Sequence, residues 1–390
     1  MESSGIPHSL KQNKFKTNFA KFLEKGRETK FSTIISLPGK ILLLLMLLYF
    51  FMLSITLIGS AFKLFGNDFA EKLIETTSNP LVGLVIGILA TSVVQSSSTT
   101  TSIVVGLVGA NALSIANAIP IIMGANVGTS VTNLLVSLGH ISHKAEFRRA
   151  FSAAIVHDLF NILAVLILFP IQYFTNFLGI FSDGLAKTFQ HLGGLKAISP
   201  IKVITGPAVK LILSITYDSG IIVLILSLVL LFITLRYLVK VLKSLFIGKF
   251  EKFFDKIIFK NAFIGLLFGL IITAIVQSSS ITTSLIVPLV GAGILKLKQI
   301  FPYTLGANIG TTVTAMLASL ATGNISAIAV AFAHFCFNVI AVTLIFPFRF
   351  IPIETAKWMA KISIKNKIYP ILYIVLVFFV IPFFIIYFMR

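Results

Sequence analysis

Two runs of uncharged polar side chains interrupt apolar segments of the chain, and they share one pattern. The first runs from Gln95 through three serines and three threonines to Ser102, and the second from Gln277 through three serines to Ser284. Their hydroxyl and amide groups supply the hydrogen-bond donors that an oxyanion needs. Their oxygens are also suitable ligands for a hard cation such as Na⁺. The pattern therefore predicts binding of an anion together with a counter-cation.

The two runs belong to an internal duplication. At an offset of 182 residues, segment 91–138 matches segment 273–320 without gaps at 26 of 48 positions. The same offset aligns two copies of Gly-Ala-Asn-x-Gly-Thr, which contain Asn126 and Thr129 in the first copy and Asn308 and Thr311 in the second. This identity is far beyond chance, so we interpret the fold as two copies of one unit.

Composition indicates a membrane protein. The 390 residues are 57% hydrophobic and 12% charged, with a mean hydropathy of +1.00, whereas a soluble domain carries about 25% charged residues. Several apolar runs approach or exceed the ~20 residues that span a bilayer. The clearest are 41–62, 221–245, 328–348 and 371–389. We predict an all-α polytopic protein that crosses the cell inner (plasma) membrane several times.

The charge distribution indicates orientation rather than a nucleic-acid partner. The formal net charge is +19, but the basic residues lie between apolar segments, where the positive-inside rule places them. Residues 1–40 are basic, with apolar residues at roughly helical spacing, so we expect an interfacial segment on anionic lipid and a cytoplasmic N-terminus. The single cysteine, Cys336, excludes an intrachain disulfide and is predicted to be a packing residue.

Short apolar arms around polar tips predict re-entrant hairpins. The arm at 81–94 has only 14 residues, too few to cross a bilayer. The glycines at 124–128 and 306–310 predict a broken helix in each copy. The link at 144–149 is basic, whereas its counterpart at 321–324 is uncharged, so the copies should have opposite orientations. Inverted repeats with broken helices are typical of secondary transporters.

These observations divide the chain into six parts. They are 1–40, the basic N-terminal segment; 41–63, the first transmembrane helix; 76–175, inverted repeat 1; 176–257, an external connection and a linking transmembrane helix; 258–350, inverted repeat 2; and 351–390, a basic loop and the last transmembrane helix. Segment 201–216 is apolar enough to be a further membrane piece, which would change the side of the C-terminus.

Candidate site residues follow from the repeats. Those predicted to bind phosphate or a similar oxyanion are Gln95, Ser96, Ser97, Ser98, Thr99, Thr100, Asn126, Thr129, Gln277, Ser278, Ser279, Ser280, Asn308 and Thr311. Those predicted to bind Na⁺ are Asp158, Gln95, Thr101, Ser102, Gln277, Thr283 and Ser284. Because the repeat cores lack Lys and Arg, cations from solution must balance a bound anion. An intramembrane carboxylate such as Asp158 is a functional candidate by default.

Several alternatives remain open at this level. Serine, threonine and glycine also serve helix packing in membranes, and His157 and His334 are expected mainly to hydrogen-bond between helices. A related transporter would carry sulfate or a carboxylate, and Asp158 would carry a proton in place of Na⁺. An intramembrane serine hydrolase would need an activated serine, but no G-x-S-x-G motif is present. A receptor or scaffold without transport is a further alternative. We predict no enzyme activity and no cofactor beyond the coupling ion, and the sequence sets no oligomeric state.

Together, the motifs resemble the type II sodium-dependent phosphate cotransporter family. The resemblance covers about 80–175 and 258–350 and rests on 95–102, 120–133, 146–151, 156–161, 277–280 and 305–312. It implies Na⁺-driven uptake of phosphate, held between the two Gln-Ser-Ser-Ser tips. An aspartate at the position of Asp158 implies an extra Na⁺ and electrogenic transport. The central connection departs from animal members, since it is shorter and lacks their cysteine pair.

Overall fold

Apolar helices make up the structure, a computed structural model that describes residues 36–191, 194–254 and 261–389. Six helices in these ranges are long and apolar enough to cross a membrane: Leu37–Leu64, Ile115–Leu138, Lys144–Thr175, Gly220–Leu238, Ile325–Ile345 and Ile368–Met389. All elements in the described ranges are helical, so the prediction of an all-α polytopic membrane protein is confirmed. The predicted interfacial segment at the N-terminus lies outside the described residues, apart from its last few positions.

The helices are numbered in chain order. The first half contains α1 Leu37–Leu64, α2 Asn67–Thr76, α3 Pro80–Val94, α4 Ser97–Gly109, α5 Ile115–Thr129, α6 Val131–Leu138, α7 Lys144–Thr175, α8 Phe177–His191 and α9 Gly194–Ile215. The second half contains α10 Gly220–Phe254, α11 Ala262–Val276, α12 Ser279–Ser284, α13 Ile286–Gly291, α14 Leu297–Thr322, α15 Ile325–Ile345, α16 Phe350–Ser363 and α17 Ile368–Val375, then a π-helical turn Leu376–Val380 and α18 Ile381–Met389.

Two short helices precede the polar tips. Helices α3 and α11 have 15 residues each, which corresponds to about 22 Å of helix. The hydrocarbon core of a bilayer is about 30 Å thick, so neither helix crosses it alone. The chain turns at Gln95 and at Gln277, and a second helix begins two residues later in both places. This helix–turn–helix shape is the one that the sequence predicted, while the depth of the tips in a membrane remains a prediction.

The predicted breaks at 124–128 and 306–310 are wrong. Helix α5 continues through the first glycine pair to Thr129, and the interruption lies at Ser130, before α6. Helix α14 continues through the second glycine pair without a break, from Leu297 to Thr322. The repeats therefore contain matching hairpins, but they do not contain matching broken helices.

Close packing between helices explains these glycines. A Cβ atom at Gly124 would overlap the carbonyl oxygen of Leu84 on the facing arm α3, and one at Gly87 would overlap the carbonyl of Ile121. Four glycines share this role: Gly87 and Gly124 between α3 and α5, and Gly269 and Gly306 between α11 and α14. Small residues let membrane helices approach closely. The first arm of each hairpin is thereby held against the helix that follows the hairpin.

Two segments predicted as connections are largely helical. The predicted external connection contains α8, whose Phe189 packs edge-on against Phe332 of α15, and α9, whose Val209 packs with Leu53 and Leu57 of α1. The predicted basic loop after repeat 2 contains α16. Apolar residues between the charges explain both results, since they give each helix a face to bury. Cys336 lies in the largest apolar cluster, as predicted for a packing residue.

Candidate functional site

The two Gln-Ser-Ser-Ser turns have the same backbone geometry. Gln95 has φ 56° and ψ 29°, and Gln277 has φ 58° and ψ 24°, so both lie in the left-handed region and end their helices. Ser96 and Ser278 are then extended, and each side chain accepts a hydrogen bond from the backbone N–H three residues later. A left-handed residue other than glycine is uncommon. Its occurrence at both tips indicates that each motif specifies the same turn.

The two tips contact each other although they are far apart in the sequence. The Ser98 hydroxyl donates to the backbone carbonyl of Gln277 at 2.9 Å. On α14, the Thr314 hydroxyl donates to Gln277 Oε1 at 2.8 Å and lies 3.5 Å from Ser98 Oγ. The hairpin turns of both repeats and one long helix therefore meet at a single point inside the protein.

Three serines at the tips keep their hydroxyls available. Ser97, Ser279 and Ser280 are buried, with 5%, 1% and 6% of their surface exposed. Within the described ranges, their hydroxyls form no hydrogen bond to a protein group. They lie in the first turns of α4 and α12, where backbone N–H groups have no intrahelical acceptor. Such a set of donors suits an oxyanion.

The two tips are not equivalent in this structure. Gln277 is 7% exposed, whereas Gln95 is exposed. Thr314, which binds the Gln277 side chain, corresponds to Thr132 at the offset of 182 residues. The Thr132 hydroxyl is buried without a hydrogen-bond partner. The second tip is therefore closed by a contact that the first tip lacks.

A chain of side-chain hydrogen bonds connects both repeats beside the tips. Asn133 Nδ2 lies 2.9 Å from Thr283 Oγ1 and 3.0 Å from His157 Nδ1. His157 Nε2 lies 2.7 Å from Asn308 Oδ1, and Asn308 Nδ2 donates to Asn161 Oδ1 at 2.6 Å. An amide donor at Nδ1 and an amide oxygen at Nε2 assign the proton to Nε2. His157 is thus a neutral residue that links helices, as predicted for both histidines.

The second repeat lacks this network. Ala315 stands at the position that corresponds to Asn133. Both ring nitrogens of His334, the counterpart of His157, are buried without a partner, as is Oδ1 of Asn338. Since the asparagine that accompanies His157 is replaced by an alanine, the helix-linking role predicted for His334 is absent. The polar core is therefore built mainly on one side of the pseudo-symmetric pair.

Asp158 is fully buried and both its oxygens accept hydrogen bonds from hydroxyl groups. Ser130 Oγ donates to Oδ1 at 2.6 Å, and the Tyr373 hydroxyl donates to Oδ2. Within the described ranges, no basic side chain forms an ion pair with this carboxylate. None of the other predicted Na⁺ ligands in these ranges hydrogen-bonds to it. The sequence offered a weak signal for Ser130, which lies in the repeated glycine motif, and none for Tyr373, which lies outside both repeats.

Most remaining site candidates bond to their own helices. The hydroxyls that donate to the carbonyl four residues earlier belong to Thr101, Thr129, Thr283 and Thr311. Such a hydroxyl still presents oxygen lone pairs to a ligand. Asn126 donates to Ile122 O and accepts at its backbone carbonyl from Asn161. Ser102 Oγ is buried without a partner, and Ser284 bonds to Ile281 O.

Comparison with known proteins adds independent information. A family model described as Na⁺/Pi-cotransporter matches residues 50–192 and 230–348. The sodium-dependent phosphate transport protein 2B of Homo sapiens is 34% identical over 461 residues, 93% of this chain and 67% of the relative. The transport protein 2A of Ovis aries is 35% identical over 425 residues, 88% of this chain and 66% of the relative. This chain thus spans about two thirds of their length. No solved structure is significantly similar.

Proposed function

Because the chain belongs to the Na⁺/Pi-cotransporter family, we propose that it is a sodium-coupled symporter that imports inorganic phosphate by alternating access. A cotransporter family is one of transporters and not of enzymes, so the serine-hydrolase alternative is set aside. The observation that carries the proposal is the meeting of the two tips through Ser98 and Gln277. It supports one shared site built from both repeats.

Phosphate binds between the tips in this proposal. The unengaged hydroxyls of Ser97, Ser279 and Ser280, with the backbone N–H groups of the same turns, face an anion that has several acceptor oxygens. Hydrogen bonds to a charged group are worth about 1.5–3 kcal/mol each. The other members of both Gln-Ser-Ser-Ser runs shape the turns, because Ser96 and Ser278 cap the second helix of each hairpin.

Charge balance supports sodium coupling. Residues 76–143, which include the first tip, contain no Lys, Arg, Asp or Glu. A phosphate dianion in such a region has no protein cation beside it, and an unbalanced buried charge is costly. Na⁺ ions that enter with phosphate remove this cost. The hydroxyl oxygens near the tips and the carboxylate of Asp158 are the ligands that we propose for them.

Radiolabelled phosphate uptake into proteoliposomes tests this function. With an inward Na⁺ gradient we expect phosphate to accumulate, because the downhill movement of Na⁺ supplies the energy. Replacing Na⁺ by K⁺ should abolish accumulation. A proton gradient without Na⁺ separates proton coupling from sodium coupling, and excess unlabelled sulfate or dicarboxylate tests the rival substrates. Accumulation that is independent of Na⁺, or inhibited as well by sulfate as by phosphate, would contradict the proposal.

Replacing Tyr373 by phenylalanine is expected to strengthen the apparent affinity for Na⁺. The Tyr373 hydroxyl occupies Asp158 Oδ2, so an ion at that oxygen has to share or displace it. We expect the Na⁺ concentration for half-maximal uptake to fall about three- to tenfold, since a hydrogen bond to a charged group no longer competes. Sodium titration of phosphate uptake measures this.

Two further variants make the Tyr373 experiment specific. Tyr369→Phe removes an exposed hydroxyl from the same helix and should leave the titration unchanged. In an Asp158→Asn background, Tyr373→Phe should have no further effect if it acts through the carboxylate. An unchanged or weakened affinity in the single variant would show that the hydroxyl does not compete with the ion.

A further inference from the structure

A basic cleft of about 460 Å³ lies where the turn of the second hairpin meets the first turns of α7. Residues 290–297, which join α13 to α14, form one wall, and α16 closes the other side. Four of the lining residues are cations, namely Arg148, Arg149, Lys296 and Lys357, and none of the lining residues is acidic. The tips proposed to bind phosphate are not part of this lining.

The cleft is held in shape by a hydrogen bond from one of its cations. Arg149 Nε donates to the carbonyl of Gly291 at 2.8 Å, which fixes the hairpin turn against α7. Gly291 packs against Ala150, so a Cβ atom on the glycine would lie 3.2 Å from that residue. Gly293, in the same turn, has φ +80° and faces the Arg149 guanidinium. The hydrogen bond uses one of the five N–H donors of an arginine, and the others remain for a ligand.

The other repeat shows that this lock does not require charge. Gly109 corresponds to Gly291 at the offset of 182 residues, and its carbonyl accepts from Asn324 Nδ2 at 3.1 Å. Asn324 begins α15, the counterpart of α7. Ser114 stands at the position of Lys296. The same contact is thus made with neutral side chains at one hairpin and with a cluster of cations at the other.

We propose that the basic cleft binds a phosphate-bearing anion, either the headgroup of an anionic lipid or free inorganic phosphate. Arginine guanidinium groups match the oxygens of a phosphate in pairs, and lysines add point charges. Basic pockets between membrane helices on the cytoplasmic side bind such headgroups. The positive-inside rule accounts for basic loops, but it does not require four cations around one cleft whose counterpart holds the same lock without them.

Binding experiments on the full chain test this proposal independently of transport. The variant is Arg148→Gln/Lys357→Gln, which keeps Arg149 and its lock on Gly291. In one arm, native mass spectrometry measures retention of phosphatidylglycerol against phosphatidylcholine. In the other arm, radiolabelled phosphate binding is measured on a Ser97→Ala/Ser279→Ala background, which removes the proposed tip site. We expect the variant to bind at least about tenfold more weakly in one of the two arms.

The controls separate a ligand site from general charge and from misfolding. Lys361→Gln/Lys365→Gln removes two exposed cations outside the cleft lining and should bind as the unmodified chain does. Arg148→Lys/Lys357→Arg conserves charge and should restore binding; Lys357 also pairs with Glu354 at 2.6 Å, a contact that arginine keeps. A loss only with phosphatidylglycerol identifies a lipid headgroup, and a loss only with phosphate identifies the free ion. Equal binding by the cleft variant and the control in both arms overturns the proposal, whatever the result of the uptake assay.

Discussion

Phosphate uptake is expected to fall below detection when Ser97 and Ser279 are both replaced by alanine. Each serine is the first residue of the second helix of its hairpin, and each hydroxyl is buried and unengaged by protein. A hydrogen bond to a charged ligand is worth about 1.5–3 kcal/mol, or about ten- to one-hundredfold in binding. Each single variant should therefore lose at least about tenfold, and the pair should lose the product. Initial rates of Na⁺-driven uptake at several phosphate concentrations measure the loss.

A buried serine outside the tips provides the matched control. Ser137→Ala removes a hydroxyl that bonds only to Leu134 O in its own helix, so uptake should remain close to that of the unmodified chain. Ser98→Ala tests a different role, because this hydroxyl bonds to Gln277 and joins the tips. It should weaken transport without restoring the loss at the other serines. Normal uptake by the Ser97→Ala/Ser279→Ala protein would remove the tips from the phosphate site.

The hairpin tips were predictable because their sequence is informative in two ways. A polar run in an apolar segment marks a special position, and its exact recurrence at Gln277 excludes coincidence. The serine after each glutamine is a good helix N-cap, so the turn is encoded locally. Lengths of the apolar arms then fixed the hairpin shape, because 15 residues do not cross a bilayer.

The repeated glycines were misread for a physical reason. Glycine both breaks helices and permits close contact between them, and the sequence of one helix does not state which neighbour it meets. The carbonyls of Leu84 and Leu266 decide the matter here, because they lie where Cβ atoms on Gly124 and Gly306 would be. Both neighbours come from the preceding hairpin arm. Only the folded arrangement of the two elements distinguishes a break from a packing contact.

Contacts between distant segments were likewise beyond sequence reasoning. The link from Asn133 through His157 to Asn308 joins three helices, and no local pattern pairs these residues. Tyr373 lies beyond residue 348, where the family match ends, yet it bonds to Asp158. It is followed directly by the π-helical turn Leu376–Val380, a feature often found at functional sites. The last helix is therefore linked to the repeat core through one hydroxyl.

Differences between the repeats indicate where the two halves diverge in function. Asp158 aligns with Phe335, and Asn133 aligns with Ala315. The first repeat thus keeps a carboxylate and a connected polar network, while the second keeps only an unpaired His334. Both hairpins contribute equivalent serines, so the anion site uses both halves. The charge that determines ion coupling is placed in the first half alone.

Asp158→Asn is accordingly expected to remove the voltage dependence of phosphate uptake while uptake itself continues. Asparagine keeps an oxygen for Ser130 and a group that reaches Tyr373, so the local contacts survive. It carries no charge, and we propose that the charge of one transported Na⁺ then no longer accompanies phosphate. Moving one elementary charge through about 100 mV is worth about 2.3 kcal/mol, so accumulation by the unmodified chain should rise up to about 50-fold with an inside-negative potential. Uptake at clamped potassium-diffusion potentials should be flat for the variant.

Asp183→Asn is the matched control for this experiment. Asp183 forms a half-exposed ion pair with Lys187 at 2.6 Å, so the same chemical change there should leave the voltage response intact. If Asp158→Asn responds to voltage as the unmodified chain does, this carboxylate does not carry the coupling charge. If the unmodified chain is itself insensitive to voltage but needs Na⁺, sodium coupling stands and electrogenic transport falls. A voltage-insensitive variant beside a responsive control would assign the coupling charge to the first repeat, because its counterpart at Phe335 has no group to share it.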